Sequence, residues 1–195
     1  MNNHLPDLTL PEYAPVQHAV NCSHFFYRTL MSDAALLPEL MATMHEAYSA
    51  DQMFAFVASQ HVSDEVSLKK ALRQLRQRVM LRTILRDLNG MAGLAEVMQV
   101  TSDLAEVSIN VALQKSQAWL EQIYGTPIGE SGQPQSMIVV GMGKLGGREL
   151  NISSDIDLIF AFEEDGDTNG AAQGKQTLSN HEFFTRVAKK LIAAI

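Results

Sequence analysis

The most informative stretch of this sequence is residues 137–162, MIVVGMGKLGGRELNISSDIDLIFAF. Its opening run from Met137 to Val140 is apolar and meets Gly141, a pattern typical of a buried strand that ends in a tight turn. Lys144 to Leu150 can form about two helical turns, and a second apolar strand follows from Ile156 to Phe162. The stretch therefore predicts a strand, a glycine turn, a short helix and a second strand.

Two acids, Asp155 and Asp157, open the second predicted strand. Side chains of a strand alternate between its faces, so both acids point the same way, about 6.5 to 7 Å apart along the backbone. The other face takes Ile156, Leu158, Phe160 and Phe162. Two ionised carboxylates this close repel each other unless positive charge lies between them, and a hard divalent cation suits their oxygen atoms. The pair therefore predicts a metal site.

The glycine turn just upstream of the acids suits a phosphate group. Glycines let a ligand approach the backbone closely, and the start of a helix offers free N–H groups and the positive end of the helix dipole. Phosphate beside a metal held by carboxylates indicates phosphoryl or nucleotidyl transfer.

Three other interpretations of this stretch stay open. Gly141, Gly143 and Gly146 match G-x-G-x-x-G, but a dinucleotide fold needs a full crossover helix and a ribose-binding acid about 20 residues on, at the end of the next strand. Only residues 144–154 separate the turn from Asp155. A Walker phosphate loop is disfavoured because Leu145 occupies its Ser/Thr position. The acids could also simply face water on a structural strand.

Residues 141–160, GMGKLGGRELNISSDIDLIF, resemble the signature of the bacterial glutamine synthetase adenylyltransferase/adenylyl-removing enzymes. More broadly, they resemble the DNA polymerase β-like nucleotidyltransferases, which are marked by a Gly-Gly or Gly-Ser turn followed by Asp-x-Asp. Members of the narrower family carry two such modules in one long chain. The helical region before the motif and the sequence ELN-x-SSDIDLIF resemble the first, adenylyl-removing module.

The resemblance implies an activity and a set of site residues. Inorganic phosphate would attack the adenylyl-tyrosine of modified glutamine synthetase and release ADP, while the opposite module would add AMP from ATP. Asp155 and Asp157 would be catalytic and would hold Mg²⁺. Residues in or just after the glycine turn would bind the nucleotide or phosphate, namely Gly143, Lys144, Gly146, Gly147 and Ser154. Ser154 would either donate a hydrogen bond or act as a cap.

The resemblance also implies what lies outside this sequence. Nucleotidyltransferases of this type need a third carboxylate. The family carries it in a Val-Asp-Met-Arg-Leu-Arg segment, which would lie beyond residue 195. The chain is therefore expected to be a fragment with an incomplete catalytic site, and a non-catalytic helical interaction module is a further alternative. Control by the PII signalling protein and by glutamine is implied, although no residue identifies either binding surface.

Composition sets broad limits on function. A formal net charge of −7 argues against a general nucleic-acid binder. No apolar run reaches the 18 or so residues of a membrane span, and the polar start does not resemble a signal peptide. The single cysteine, Cys22, allows no intrachain disulfide, which fits the cytoplasm.

The rest of the chain predicts an α+β fold, with a mainly helical region at 1–130 and the first part of a nucleotidyltransferase (polymerase β-like) core at 131–195. Helices are predicted at 16–31, 33–44, 51–60, 63–88 with Ser63 as N-cap, and 91–124 with a break at 101–103. Residues 125–134 read as a linker and 163–175 as an acidic loop. Ser179 predicts the start of a last helix, whose apolar face is Phe183, Phe184, Val187, Leu191 and Ile192.

The helix at 63–88 combines a predicted core stripe with a basic face. The stripe is Leu68, Leu72, Leu75, Val79 and Ile84, and the basic residues are Lys69, Lys70, Arg73, Arg76, Arg78, Arg82 and Arg86. Most of these cations are predicted to be solvated. One or two arginines could instead meet a nucleotide phosphate or an acidic patch of a partner protein, and the spacing does not select which.

Overall fold

The computed structural model describes residues 5–170 and 177–195, and it confirms an α+β fold with a helical N-terminal region. The helices are α1 (Ala14–Cys22), α2 (His24–Ser32), α3 (Leu36–Thr43), α4 (Ala50–Ala58), α5 (Glu65–Leu88), α6 (Leu94–Tyr124), α7 (Gly143–Gly146) and α8 (Asn180–Ala194). The strands are β1 (Pro127–Gly129), β2 (Ile138–Gly141), β3 (Leu158–Ala161) and β4 (Gly166–Thr168). Among the described residues, no helix combines the length and the apolar character needed to cross a membrane.

The described residues form two compact units, and both long helices contribute to each of them. One unit holds residues 5–60, 73–105 and 148–154, and the other holds 61–72, 106–147, 155–170 and 177–195. Compactness alone does not test the predicted domains, 1–130 and 131–195, which remain a prediction.

The first unit begins with two short helices where the sequence predicted a single helix at 16–31. Ser23 adopts an extended backbone (φ −131°, ψ 109°), and its hydroxyl accepts a hydrogen bond of 3.2 Å from the amide of Phe26. A serine that caps a new helix outweighs the continuous apolar pattern across it. The restart buries Phe26 and Leu30, whereas Tyr27 and Met31 are exposed.

Two further helix starts in the sequence are set by side-chain caps. Ser49 and Gln52 form a reciprocal capping box, so α4 begins at Ala50. The amide of Ser67 donates to the Asp64 carboxylate at 2.7 Å, so Asp64 caps α5 and the predicted N-cap at Ser63 is wrong. The predicted core stripe of α5 is buried along its whole length, as expected.

The predicted break at 101–103 is absent, because α6 runs without interruption from Leu94 to Tyr124. The hydroxyl oxygen of Thr101 lies 2.6 Å from the carbonyl oxygen of Val97, one turn back along the helix. Such a bond satisfies a threonine inside a helix, so a Thr-Ser-Asp sequence need not end one.

Most basic residues of α5 are solvated, as predicted, but three of its arginines are not. Lys69, Lys70, Arg73 and Arg76 are exposed, as predicted. Arg82 and Arg86 are buried and Arg78 is half-buried. Each of the three contacts residues far away in the sequence, which helical spacing cannot reveal.

The second unit contains two antiparallel strand pairs. β1 pairs with β4 in the register Ile128↔Asp167, so the predicted linker contains a strand and the predicted acidic loop contains its partner. Residues 171–175 of that loop lie outside the described residues. The buried amide of Asn180 donates from Nδ2 to the carbonyl oxygens of Ile128 (3.0 Å) and Glu164 (3.1 Å), which ties the start of α8 to this pair.

Helix α8 follows its sequence pattern closely. The Ser179 hydroxyl accepts from the amide of Glu182 at 3.2 Å, which confirms the predicted N-cap. The predicted apolar residues Phe183, Phe184, Val187 and Leu191 are buried. Ile192 is 58% exposed, so its predicted place on the buried face is wrong.

Candidate functional site

Strands β2 and β3 form the antiparallel hairpin that carries the two acids. The strands pair in the register Val140↔Ile159 and Gly141↔Leu158. One residue further on, the amide of Met142 donates to the carbonyl oxygen of Asp157 at 2.9 Å, which extends the same register. The sequence predicted that Asp155 and Asp157 lie within the second strand, and this is wrong. β3 begins at Leu158, so both acids directly precede the strand.

The predicted alternation of side chains is confirmed around the acids. Asp155 and Asp157 are exposed, and Ile156, Leu158, Phe160 and Phe162 are each partly buried. On the covered side, the Phe162 ring stacks on Phe184 of α8, with ring centroids 5.1 Å apart. Both carboxylates are therefore accessible to solvent, while the apolar side chains on the other side of the segment pack against the protein.

The glycine turn forms a single helical turn, α7, and not the two turns predicted for 144–150. The amides of Leu145 and Gly146 donate to the Met142 carbonyl (3.1 and 3.3 Å), and the amide of Gly147 donates to the Gly143 carbonyl (3.0 Å). The first amides of a helix have no acceptor within it, and here these are the amides of Gly143 and Lys144. Those two donors are the ones that the turn leaves for a ligand. Phosphate binding by the five predicted residues stays a prediction.

Close backbone packing explains why glycine is needed in this turn. A Cβ atom on Gly146 would lie 2.6 Å from the carbonyl oxygen of Gly141, and one on Gly141 would lie 2.8 Å from Cγ of Leu145. Gly143 has φ +53°, a conformation that side chains disfavour. The turn can therefore lie directly against the end of β2.

Gly146→Ala is expected to lower the free energy of unfolding by about 1 to 3 kcal/mol, since the new methyl group has a backbone oxygen in its way and the turn must shift. Chemical denaturation of both proteins would measure this change. Gly93→Ala is the matched control, because a Cβ there meets nothing within 4 Å, and its cost should stay below about 1 kcal/mol. Equal losses in the two variants would contradict the packing argument.

The segment between the glycine turn and the acids, residues 148–154, belongs to the first unit and is held there by side chains that the sequence pattern did not identify. The hydroxyl oxygen of Thr101 lies 2.6 Å from the Leu150 carbonyl oxygen. Arg148 Nη2 donates to Asp103 at 2.5 Å, and this pair supports Arg148 at a φ of 55°. No spacing rule links residues nearly 50 positions apart, so these contacts could not be read from the sequence.

Ser154 takes part in a local turn. Its hydroxyl donates to Oδ1 of Asn151 (2.9 Å) and accepts from the amide of Asn151 (3.2 Å). The amide of Ser153 also donates to this Oδ1, at 3.1 Å. Ser154 therefore bonds within this local turn, and its predicted roles in capping and towards phosphate stay predictions.

The donor chemistry of the two acids fits Mg²⁺. In the described part of the chain, no three His, Cys, Asp or Glu residues converge on a possible metal position. Mg²⁺ is commonly bound by one or two protein carboxylates, with waters and substrate phosphates completing its octahedron. The two exposed carboxylates therefore fit the part of such a site that this chain would supply, and metal binding itself stays a prediction.

A strand, a glycine turn and a second strand preceded by two exposed acids are the features that the sequence predicted for a nucleotidyltransferase-type core. The family model described as glutamate-ammonia ligase adenylyltransferase matches residues 14–195. The chain therefore belongs to that family.

Curated relatives agree with this assignment. Two are bifunctional glutamine synthetase adenylyltransferase/adenylyl-removing enzymes, one from Aromatoleum aromaticum (42% identical over 95% of this chain and 19% of the relative) and one from Chromobacterium violaceum (45% over 93% and 20%). A third, of the same name, is from Burkholderia pseudomallei (54% over 67% and 14%). The chain thus spans about a fifth or less of the length of these relatives.

Proposed function

We propose that this chain is part of the adenylyl-removing module of a glutamine synthetase adenylyltransferase/adenylyl-removing enzyme. The module would remove AMP from adenylyl-tyrosine by phosphorolysis and release ADP. The observation that carries the proposal is the hairpin, which presents two exposed carboxylates on one side and places the unused amides of Gly143 and Lys144 at the turn between its strands. Family membership and the names of the relatives support it.

The reaction transfers an adenylyl group from one oxygen to another. An oxygen of inorganic phosphate would form a bond to the α-phosphorus, the bond from that phosphorus to the tyrosine oxygen would break, and the phenolate would take up a proton. Asp155 and Asp157 would hold Mg²⁺, which stabilises charge on the attacking and leaving oxygens when bound. The Gly143 and Lys144 amides would donate to phosphate oxygens, and the exposed Lys144 ammonium would offset their charge.

The dinucleotide-binding alternative conflicts with the strand pairing. Its βαβ unit requires two parallel strands joined by a crossover helix. β2 and β3 are antiparallel, and the helix between them is a single turn. G-x-G-x-x-G in this chain therefore reflects the tight packing of Gly141 and Gly146.

The whole enzyme's partners are part of the same proposal. Glutamine synthetase appears in the relatives' names as the protein modified, and we propose it as the substrate here. Regulation by PII and by glutamine, and a cytoplasmic location, remain predictions from the sequence resemblance.

Calorimetric titration of this chain with ADP, with and without Mg²⁺, tests the site directly. We expect binding of ADP that requires Mg²⁺ and that disappears in the Asp155→Asn, Asp157→Asn double variant. NAD serves as the competing ligand and should not bind. If ADP binds equally well without Mg²⁺, or equally well to the double variant, the proposed site is wrong. Failure of ADP to bind under any condition would favour an incomplete site in this chain, and the same titration would then be made on a longer chain that includes the third carboxylate.

A further inference from the structure

The two acids of the candidate site differ in how their backbone is held. The carbonyl oxygen of Asp157 accepts a hydrogen bond from the Met142 amide at 2.9 Å, so this acid is tied to the hairpin. Asp155 lies two residues earlier, beyond the last bond between the strands. Within residues 5–170 and 177–195, Asp155 makes no hydrogen bond or ion pair of its own. The segment that precedes Asp155 in the chain therefore decides how firmly it is held.

That segment is a closed turn from Asn151 to Ser154. The Ser154 amide donates to the Asn151 carbonyl oxygen at 3.1 Å, and the Asn151 amide donates to the Ser154 hydroxyl oxygen at 3.2 Å. The side-chain oxygen Oδ1 of Asn151 accepts from the Ser154 hydroxyl (2.9 Å) and from the Ser153 amide (3.1 Å). An asparagine side chain that bonds to the backbone two residues on is a common way to fix a turn. Asn151 is thus the residue on which these bonds converge.

The turn begins at a fixed point. Leu150, the residue before it, is 3% exposed, and its carbonyl oxygen lies 2.6 Å from the hydroxyl oxygen of Thr101. Ile152, inside the turn, packs against a buried hydrophobic cluster. Ser154 leads directly into Asp155. A turn that is fixed at its start and closed by side-chain bonds therefore restricts where the backbone of Asp155 can lie.

We propose that Asn151 is a positioning residue for nucleotidyl transfer, which holds Asp155 in place beside Asp157 by closing this turn. The inference rests on the proposed function, in which both acids bind Mg²⁺. Two ionised carboxylates repel each other, so Asp155 without a restraint would turn away from Asp157 until a cation arrives. A pair that is already in position avoids the cost of ordering it at the moment of binding. Asn151 acts through the turn and needs no contact with metal or substrate.

Asn151→Ala in the full-length enzyme is expected to lower kcat for ADP release from adenylylated glutamine synthetase by about 10- to 100-fold, the usual cost of losing the support of a metal ligand. The KM for that substrate should stay within about twofold of wild type, because Asn151 does not bind it. Since Asn151 is exposed, the variant should unfold at the wild-type temperature. Asn151→Asp keeps the side-chain oxygen that accepts the bonds, so it should recover most of the rate.

Asn169→Ala is the matched control. Asn169 is also exposed, and its Oδ1 accepts a hydrogen bond from the Thr126 amide at 2.9 Å, so the change again removes a side-chain oxygen that bonds to the backbone. Asn169 directly follows β4 and adjoins neither acid in the chain, so ADP release should continue at the wild-type rate. A loss equal to that of Asn151→Ala would overturn the proposal.

Backbone NMR relaxation of this chain, without metal or nucleotide, gives a readout that does not depend on activity. Asp155 is expected to have an order parameter of about 0.85 in the wild type and in Asn169→Ala, and below about 0.6 in Asn151→Ala. An order parameter of Asp155 that is unchanged in Asn151→Ala would overturn the proposal, whatever the enzyme assays give.

Failure of this inference can be told apart from failure of the proposed function. If the wild-type full-length enzyme releases no ADP from adenylylated glutamine synthetase, or if Asp155→Asn does not slow that release, the proposed function is wrong and the positioning role falls with it. If Asp155→Asn abolishes ADP release but Asn151→Ala keeps the wild-type kcat, the proposed function stands and only the role of Asn151 is wrong.

Discussion

Asp155→Asn and Asp157→Asn, each made in the full-length enzyme, are expected to abolish the release of ADP from adenylylated glutamine synthetase. Each change removes a carboxylate that the proposed Mg²⁺ site needs, and a neutral amide holds the cation poorly. Loss of the metal's charge stabilisation, worth several kcal/mol, corresponds to a rate loss on the order of 10³-fold or more. Addition of AMP from ATP should continue, because a second module would carry it.

Phosphorolysis and adenylylation rates, measured on the same preparations across a range of Mg²⁺ concentrations, would check this result. Asn has nearly the shape of Asp, and both positions are exposed, so the variants should unfold at the wild-type temperature. Asp87→Asn, at an exposed position on α5, is the matched control and should keep both activities. Undiminished ADP release by both site variants would mean that the acids have been assigned the wrong role.

The alternation of side chains around the two acids could be predicted from sequence because its determinants are local. Alternation of Asp155, Ile156, Asp157 and Leu158 fixes which side chains share a side, and that order is what the structure has. The length of α7 could not be predicted, since its end depends on backbone contacts made by Gly146 and Gly147. The local sequence pattern thus predicts the side on which the acids lie, whereas packing of the turn determines which backbone amides lack an acceptor.

Helix boundaries failed where one side chain had two possible hydrogen-bonding roles. Ser23 and Thr101 are both residues that can cap a helix or bond within it. Ser23 caps, and it breaks the predicted helix, whereas Thr101 bonds back to Val97 and the helix continues. Thr101 also contacts the carbonyl group of Leu150, which is 49 residues away in the sequence. This contact favours the position of Thr101 inside the helix, and no local sequence pattern could have predicted it.

The buried arginines of α5 are the clearest case of a tertiary contact that sequence spacing conceals. Arg86 belongs to the basic face of the helix that was predicted to be mostly solvated, yet its side chain is only 7% exposed. Its Nε and Nη2 atoms donate to the two carboxylate oxygens of Glu96, at 2.7 and 3.0 Å. Nη1 and Nη2 also donate to the carbonyl oxygens of Met44 (2.9 Å) and Met91 (3.0 Å). Hydrogen bonding to Glu96 raises the pKa of Arg86, so it remains charged.

Arg86→Met is therefore expected to lower the free energy of unfolding by about 2 to 4 kcal/mol, measured by chemical denaturation. The methionine keeps much of the apolar volume, but it leaves a carboxylate and two carbonyl groups without their donor. The loss is smaller than for a fully buried ion pair because Glu96 is 29% exposed and water can partly solvate it.

A double-mutant cycle separates the ion pair from the carbonyl contacts. Glu96→Gln combined with Arg86→Met should cost less than the sum of the single changes, with a coupling of about 1 to 3 kcal/mol, because the second change removes the stranded charge. Arg73→Met, on the exposed side of the same helix, should stay within about 0.5 kcal/mol of wild type. If Arg86→Met lost no more stability than Arg73→Met, the hydrogen bonds that Arg86 makes between α5 and the start of α6 would contribute nothing to the free energy of unfolding.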